Sequence, residues 1–326
     1  IRQNRYMNSV NPGFQKENIV YAFTNKDLEH NVQSFKNELK NIPGVADITF
    51  SEEPINKIDQ NWGLDLINKG ERSEVEFAKF TVAPNFFNFF GIRMKQGNCF
   101  NDHAQTNKDF IFNETAVKKF KITNTDDAKI DGYGSGKCNI VAVAEDFNFE
   151  SMHVPIRPVG FMCSGESDGV VYLKFNAGSY NSFQQNLQSV RKVWDKLSPH
   201  FPMEITFLDS SWEALYVQDR QFQKIISYTT IISLILSCLG LIGLTFFVME
   251  RRTKEIGVRK VNGARISEVM ILLNRDFVKW VAIAFVIATP IAYYVMNKWL
   301  ENFAYKTELS WWIFALSGIL ALGIAL

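Results

Sequence analysis

Two stretches hold the residues best equipped for chemistry. The first, Asp131 to Cys138, reads "DGYGSGKC" and has the glycines and lysine of a loop that wraps phosphate. That motif needs four residues between its first glycine and the Gly-Lys pair, followed by Ser or Thr. Here Gly132 stands one residue too close and Cys138 replaces the hydroxyl. The spacing predicts a hairpin or loop and no nucleotide site. His30, His103, His153 and His200 are scattered without metal-ligand spacing. Asn113 to Thr115 matches a glycosylation acceptor, but it falls where a strand should meet a helix, so Asn113 is read as a cap. Cys99, Cys138 and Cys163 allow at most one internal disulfide. No nucleophile, base and orienting partner assemble from spacing, so the chain reads as non-catalytic, with no directly bound cofactor and no metal site.

The second stretch, Met249 to Ala264, reads "MERRTKEIGVRKVNGA". On a helix Glu255 lies four residues after Arg251 and four before Arg259, a spacing that supports ion pairs. Ile256, Val258 and Val261 stand among the charges as contact points, and Asn262-Gly263 should stop the helix. Two readings remain open on the residues alone: a basic anchor with a solvated face, or a docking segment for a cytoplasmic partner.

The elements that must position this stretch are membrane spans. Between Lys224 and Glu250 lie 25 residues without a charge, enough at about 1.5 Å per residue to cross a hydrocarbon core. Further spans are expected at about 278–297, where Pro290 is tolerable in a bundle, and at about 309–326. Basic residues concentrate between Glu250 and Asp276, which assigns that connection to the cytoplasm and everything before Lys224 to the other side. The N-terminal residues lack the apolar core of a signal peptide, so an earlier membrane helix is expected before Ile1. Ser233, Ser237, Gly240 and Gly243 form a small-residue stripe suited to close helix packing, within the chain or between two copies. Apart from Lys279, which can snorkel at the edge of the second, the expected spans carry no charged residue, which argues against a conduction path. With 35 basic and 34 acidic residues, no global field points to nucleic acid.

The large segment before the spans reads as an α+β extracytoplasmic domain over 1–210, joined to an α-helical transmembrane domain over 211–326. Asn18–Phe23, the helical "KDLEHNVQSFKNELKNI" and "GVADITF" form one βαβ unit. "GVVYLKF", the helical "SYNSFQQNLQSVRKVWDKL" and "MEITFLD" form a second. These two βαβ units, at about 14–83 and 159–210, flank an inserted small α/β lobe at about 84–158. Asp209 and Ser210 are expected to cap a helix that runs unbroken from Ser211 to about Val261.

"ERRTKEIGVRKVNGA" resembles the cytoplasmic signature of FtsX/MacB-type ABC transporter permeases: an acidic residue, two basic or polar residues, E-I-G-x-R-K, and a closing G-A. "YMNSVNPGFQKENIV", "NETAVKKF", "VAEDFNFESMHVPIRP" and "FAYKTELSWWIF" extend the resemblance in order along the chain. The resemblance implies a multi-pass protein of the bacterial inner membrane with a MacB-like periplasmic domain and an FtsX-like membrane domain. It also implies pairing with a second permease copy or half, an ABC ATPase subunit that uses ATP, and an extracytoplasmic partner protein. Such a permease transmits ATP-driven motion to the periplasmic side for efflux or for lipoprotein or peptide handling. Arg251, Arg252, Glu255, Ile256, Gly257, Arg259, Lys260, Gly263 and Ala264 would form or support the ATPase contact. The alternatives are a membrane-anchored sensor or adaptor and a regulator of a cell-wall hydrolase.

Overall fold

The computed structural model describes residues 11–326, except 101–108, 134–135, 164–168, 179, 264–265, 302, 304–305, 308 and 326. It forms two compact units, Val10–Tyr216 and one containing Val217–Leu326.

In the first unit the chain runs β1 (Ile19–Phe23), α1 (Lys26–Lys40), β2 (Val45–Ser51), β3 (Asn61–Asn68), β4 (Glu71–Val82), α2 (Phe86–Phe90), β5 (Met94–Gln96) and β6 (Asp109–Asn113). It continues with α3 (Glu114–Lys119), β7 (Ala128–Tyr133), β8 (Gly136–Ala144), β9 (Val159–Cys163), β10 (Val170–Phe175), α4 (Tyr180–Leu197), β11 (Thr206–Phe207) and α5 (Leu208–Ala214).

The two βαβ units are present and interleaved. The strand order is β11-β1-β10-β2, with each neighbouring pair antiparallel, so each unit's parallel strands are separated by a strand of the other. The 3.6-residue spacing of Leu28, Val32, Phe35 and Leu39 places all four in one core with Val190 and Trp194 of α4. Phe35 meets Trp194 edge to face at 5.9 Å. The Asn25 side chain caps α1 by accepting from the Asp27 and Leu28 N–H groups.

The insert differs from the expected small α/β lobe at 84–158. Strands β4-β3-β7-β8-β6-β9 pair in succession, and β9 pairs back onto β4, so six strands close into a ring. Closure removes the free edges that an open sheet would present. The ring includes the β3–β4 hairpin, so it starts near Asn61 and ends near Cys163. That hairpin turns on Lys69 and Gly70, both at positive φ (52° and 85°), the geometry of a two-residue turn. Phe77, Phe110, Phe112, Ile130 and Ile140 fill the ring. A Cβ on Gly160 would come within 2.7 Å of Phe77 and 2.8 Å of Phe112, so these two rings require the glycine. The "DGYGSGKC" stretch belongs to the β7–β8 hairpin, with Tyr133 opposite Gly136; Gly134 and Ser135 lie outside the described residues.

A narrow aromatic joint links lobe and ring. Ser51 of β2 pairs with Val82 of β4, and the Glu52 N–H donates to the Thr81 carbonyl at 2.9 Å. Helix α2 buries Phe86, Phe87, Phe89 and Phe90. Phe90 packs on Tyr172 of β10, Phe86 on Phe80 of β4, and Phe87 on Phe161 of β9.

The second unit contains α6 (Val217–Arg251), α7 (Thr253–Val261), α8 (Ile266–Leu300) and α9 (Trp311–Ala325). Helix α6 and the Val278–Leu300 part of α8 are long and apolar enough to cross a membrane. Helix α8 continues through Pro290. Helix α9, in the third expected span, has 15 apolar-rich residues and runs to Ala325, the last described residue. The rod expected from Ser211 to Val261 is interrupted at two places. At Leu215–Tyr216 the bonds tighten to i→i−3, from the Leu215 N–H to the Trp212 carbonyl and from the Tyr216 N–H to the Glu213 carbonyl. Helix α5 begins at Leu208, so the expected caps Asp209 and Ser210 fall inside its first turn. The second interruption is at Arg252.

Candidate functional site

Across Arg252 the helical bonds persist, from the Arg252 N–H to the Val248 carbonyl at 3.0 Å and from the Ile256 N–H to the Arg252 carbonyl at 2.9 Å. The Thr253 hydroxyl donates to the Met249 and Glu250 carbonyls at 3.0 and 2.9 Å. The same hydroxyl back-bond occurs inside unbroken α6 at Thr230, Ser237 and Thr245.

Of the two expected pairs around Glu255, the Arg259 guanidinium donates to its carboxylate at 2.9 Å. Arg251 lies over the Phe247 ring at 5.0 Å. Both partners of the Glu255–Arg259 pair are about half exposed, so the pair contributes only about 0.3–0.5 kcal/mol. Ile256 is half-buried, whereas Val258 and Val261 are exposed, Val261 by 89 %. Gly263 has φ +87°, the left-handed geometry that ends a helix, and the Asn262 N–H closes on the Val258 carbonyl at 3.1 Å. A Cβ added to Gly257 would meet nothing within 4 Å. Lys260 falls within α7, but its side chain and the whole of Ala264 lie outside the described residues.

The small-residue stripe lies on α6, where the Ser237 hydroxyl donates to the Ser233 carbonyl at 2.8 Å. Cβ atoms at Gly240 and Gly243 would likewise meet nothing. The close approach that occurs within this unit is elsewhere. A Cβ on Gly318 of α9 would come 2.8 Å from the Phe285 ring of α8.

Sequence reasoning passed over a polar cluster at the end of the first unit. The Ser211 hydroxyl on α5 accepts from the Asn56 amide at 2.8 Å and lies 3.2 Å from the Tyr21 hydroxyl on β1. Trp212 meets Phe14 edge to face at 5.5 Å, and Tyr216 stacks near His153. The "VAEDFNFESMHVPIRP" segment is clamped by Arg157, which pairs with Glu150 at 2.7 Å and donates to Asn61 and to the Ile58 carbonyl. Tyr21, Asn56, Arg157 and Ser211 share no local spacing, so only the fold brings them together.

Nearby, the Lys79 ammonium pairs with Glu52 at 2.8 Å and lies 4.9 Å from the Trp62 ring centre. Burial pushes the Glu52 carboxyl up. Hydrogen bonds from Lys79, Thr81 and Gln60, with the Lys79 charge, outweigh burial and hold it below the usual carboxylate value. Asn113 is 2 % exposed, caps α3 by accepting from the Ala116 N–H at 3.0 Å, and also accepts from the Val159 N–H at 3.0 Å. Its burial excludes a glycan at that asparagine. Among the described residues no group of acidic, His or Cys side chains could hold a metal ion.

Residues 228–326 match the family described as FtsX-like permease C-terminal. No curated protein matches the chain. Among solved structures, the periplasmic region of MacB from Actinobacillus actinomycetemcomitans is similar at 13% identity and TM-score 0.43, covering 65% of this chain and 98% of that one. A permease-protein domain from Porphyromonas gingivalis is similar at 15% identity and TM-score 0.40, covering 60% and 92%. The extracellular domain of the noncanonic ABC-type transporter YknZ from Gram-positive bacteria is similar at 10% identity and TM-score 0.38, covering 58% and 98%.

Proposed function

We propose, from the match of residues 228–326 to the family described as FtsX-like permease C-terminal, that the chain is the membrane subunit of an ABC system whose α7 segment receives motion from an ATPase. ATP is bound and hydrolysed by the partner, and the permease works as a pair on a pair of ATPase subunits. It sits in the bacterial inner membrane, crossing it several times, with Val10–Tyr216 on the extracytoplasmic side. There it does conformational work in efflux or in lipoprotein or peptide handling, together with an extracytoplasmic partner.

The observation that carries this reading is Gly257. A glycine inside a helix costs about 1 kcal/mol relative to alanine. Nothing in the described chain approaches its missing Cβ, so packing within the chain does not require it. A partner backbone pressed against α7 would. Arg251, Arg252, Glu255, Ile256, Arg259, Lys260, Gly263 and Ala264 surround this point in sequence and supply its charge, its apolar contact and its helix stop. The Ser233, Ser237, Gly240 and Gly243 stripe is open in the same way and suits contact with a second permease copy.

The test uses single cysteines at Asn25 and Thr253 in a cysteine-free background, labelled with an impermeant thiol reagent on cells stripped of their outer barrier. The Asn25 site should label and the Thr253 site should label only after permeabilisation. Tagged permease should also retain an ATPase subunit through purification. Equal labelling of both sites, or loss of the ATPase from every preparation, would leave the chain as a membrane-anchored sensor or adaptor.

A further inference from the structure

Arg251 is the last residue of α6, and its guanidinium lies 5.0 Å from the centre of the Phe247 ring, one turn back along the helix. Phe247 is exposed and belongs to the charge-free run that ends at Met249. An arginine that folds back onto the end of an apolar span lays its stem on that surface and keeps its charge at the level of the lipid headgroups. Glu255, four residues on, is bonded instead by Arg259 at 2.9 Å. Among the described residues Arg251 therefore forms no ion pair.

Lys254 stands beside it. It is exposed, forms no ion pair among the described residues, and lies three residues from Arg251, a spacing that makes the two neighbours on one helix face. The helical hydrogen bonds continue across Arg252, from its N–H to Val248 and from the Ile256 N–H to its carbonyl, so that spacing remains a helical one. Lys254 is five residues beyond Met249, about 7.5 Å along the axis, and the headgroup layer on each side of a bilayer is about 5–7 Å deep. Both cations thus stand at the depth of lipid phosphates. The surrounding charge has the same sign. From Glu250 to Lys260 the chain carries five cations and two anions, and one of those anions is taken by Arg259. A merely solvated anchor needs no particular geometry, whereas here an exposed guanidinium and an exposed ammonium are set side by side at one depth.

We propose that Arg251 and Lys254 bind the phosphate of an anionic phospholipid of the phosphatidylglycerol class, at the edge of the bilayer that α6 crosses. The planar fork of Arg251 matches two phosphate oxygens, and the Lys254 ammonium adds a point charge beside them. The acyl chains lie along the apolar end of α6, at Phe247. A zwitterionic lipid offers the same phosphate together with an ammonium of its own, which the two cations repel. The inference rests on the reading of α6 as a membrane-crossing helix, and it gives a role to Lys254, which the ATPase contact leaves unused. Arg251 then ties the start of α7 to the bilayer, and Gly257 with the residues after it faces the partner.

The experiment is native mass spectrometry of the full chain released from dodecyl maltoside micelles, titrated separately with dioleoyl phosphatidylglycerol and dioleoyl phosphatidylcholine. Wild type should bind the anionic lipid about tenfold more tightly than the zwitterionic one. Arg251→Gln and Lys254→Gln should each weaken phosphatidylglycerol by about fivefold and change phosphatidylcholine by less than about twofold, as loss of one cation near an anionic headgroup requires. Arg252, Arg259 and Lys260 remain in both variants, so the basic excess that sets orientation survives. Arg251→Lys keeps the charge and loses the fork, so its affinity should fall between wild type and Arg251→Gln. Excess inorganic phosphate should leave lipid binding unchanged, because the acyl chains hold the headgroup in place. Equal affinity for the two lipids, an unchanged preference in both glutamine variants, or displacement of the lipid by inorganic phosphate would each overturn the proposal. No ATPase takes part, so failure here leaves the ATPase reading standing, and loss of the ATPase from purified permease would not alter the lipid result.

Discussion

The phenolic oxygen of Tyr216 accepts the backbone N–H of Met152 at 3.1 Å, across 64 residues of sequence. Tyr216 is the last residue of the first unit and immediately precedes α6. Met152 lies in the segment clamped by the Glu150–Arg157 pair. The tight turn at Leu215–Tyr216 therefore has a partner within the first unit that fixes it.

Tyr216→Phe removes that acceptor and keeps the ring beside Trp212, whose centroid is 6.3 Å away. The buried Met152 N–H would then lack a partner, at a cost of about 1–3 kcal/mol. Urea unfolding followed by tryptophan fluorescence should show a lower midpoint with an unchanged slope. A midpoint equal to wild type would mean that the hydrogen bond contributes nothing.

The Glu52–Lys79 pair gives stability a pH dependence of known sign. The folded Glu52 carboxyl lies below its unfolded value of 4.5, so its contribution is present above that value. It is lost as the pH falls through the folded value. Unfolding midpoints measured from about pH 6 down to about pH 3 should fall, and Glu52→Gln should remove that part of the slope. Glu52→Gln should be worse than Lys79→Met at neutral pH, because it leaves the more deeply buried ammonium without its anion, whereas the Glu52 carboxylate is the more exposed partner and keeps Gln60 and Thr81 beside it.

Much of the first unit could be read locally because its helices follow simple periods. Leu28, Val32, Phe35 and Leu39 recur at helical spacing, and their face is the buried one. The same holds for Leu187, Val190 and Trp194. The closed ring could not be read that way, because closure depends on β9 pairing with β4 across some 80 residues. Its first hairpin did carry a local signal, alternating Leu64, Leu66, Val75 and Phe77 around Lys69-Gly70, although a lysine is an unusual occupant of a positive-φ turn. At the candidate contact, the helix stop at Gly263 and the Glu255–Arg259 pair were legible from spacing. The one-residue interruption at Arg252 was not legible, because the flanking residues carry no Gly or Pro signal and the helical bonds continue across it.

Asn113 serves three backbone groups at once, accepting from the Ala116 and Val159 N–H groups and donating to the Arg157 carbonyl at 3.0 Å. Asn113→Ala should cost about 3 kcal/mol, more than the roughly 1 kcal/mol of a simple cap, because two buried donors are orphaned together. Asn113→Asp keeps the acceptor and loses the donor, so its midpoint should fall between the two. Peptide mapping after expression in a glycosylating host should find Asn113 unmodified, and a glycan there in folded protein would contradict its burial.

Gly257→Leu and Glu255→Lys separate a transmission contact from a topological anchor. A Cβ at Gly257 meets no atom within 4 Å, so with a leucine there the permease should fold and insert as before. Glu255→Lys breaks the exposed pair to Arg259, worth about 0.3–0.5 kcal/mol, and leaves the basic excess that would set orientation even larger. Neither change damages the permease alone, so a defect must arise at a partner surface. With the ATPase reconstituted in nanodiscs, Gly257→Leu should lower co-purification by about tenfold, as expected when one hot-spot contact worth about 1.4 kcal/mol is lost. Glu255→Lys should uncouple, leaving ATP turnover no longer stimulated by the permease. Wild-type binding and stimulated turnover in both variants would show that α7 is only an anchor. The open space at Gly257 would then need another explanation.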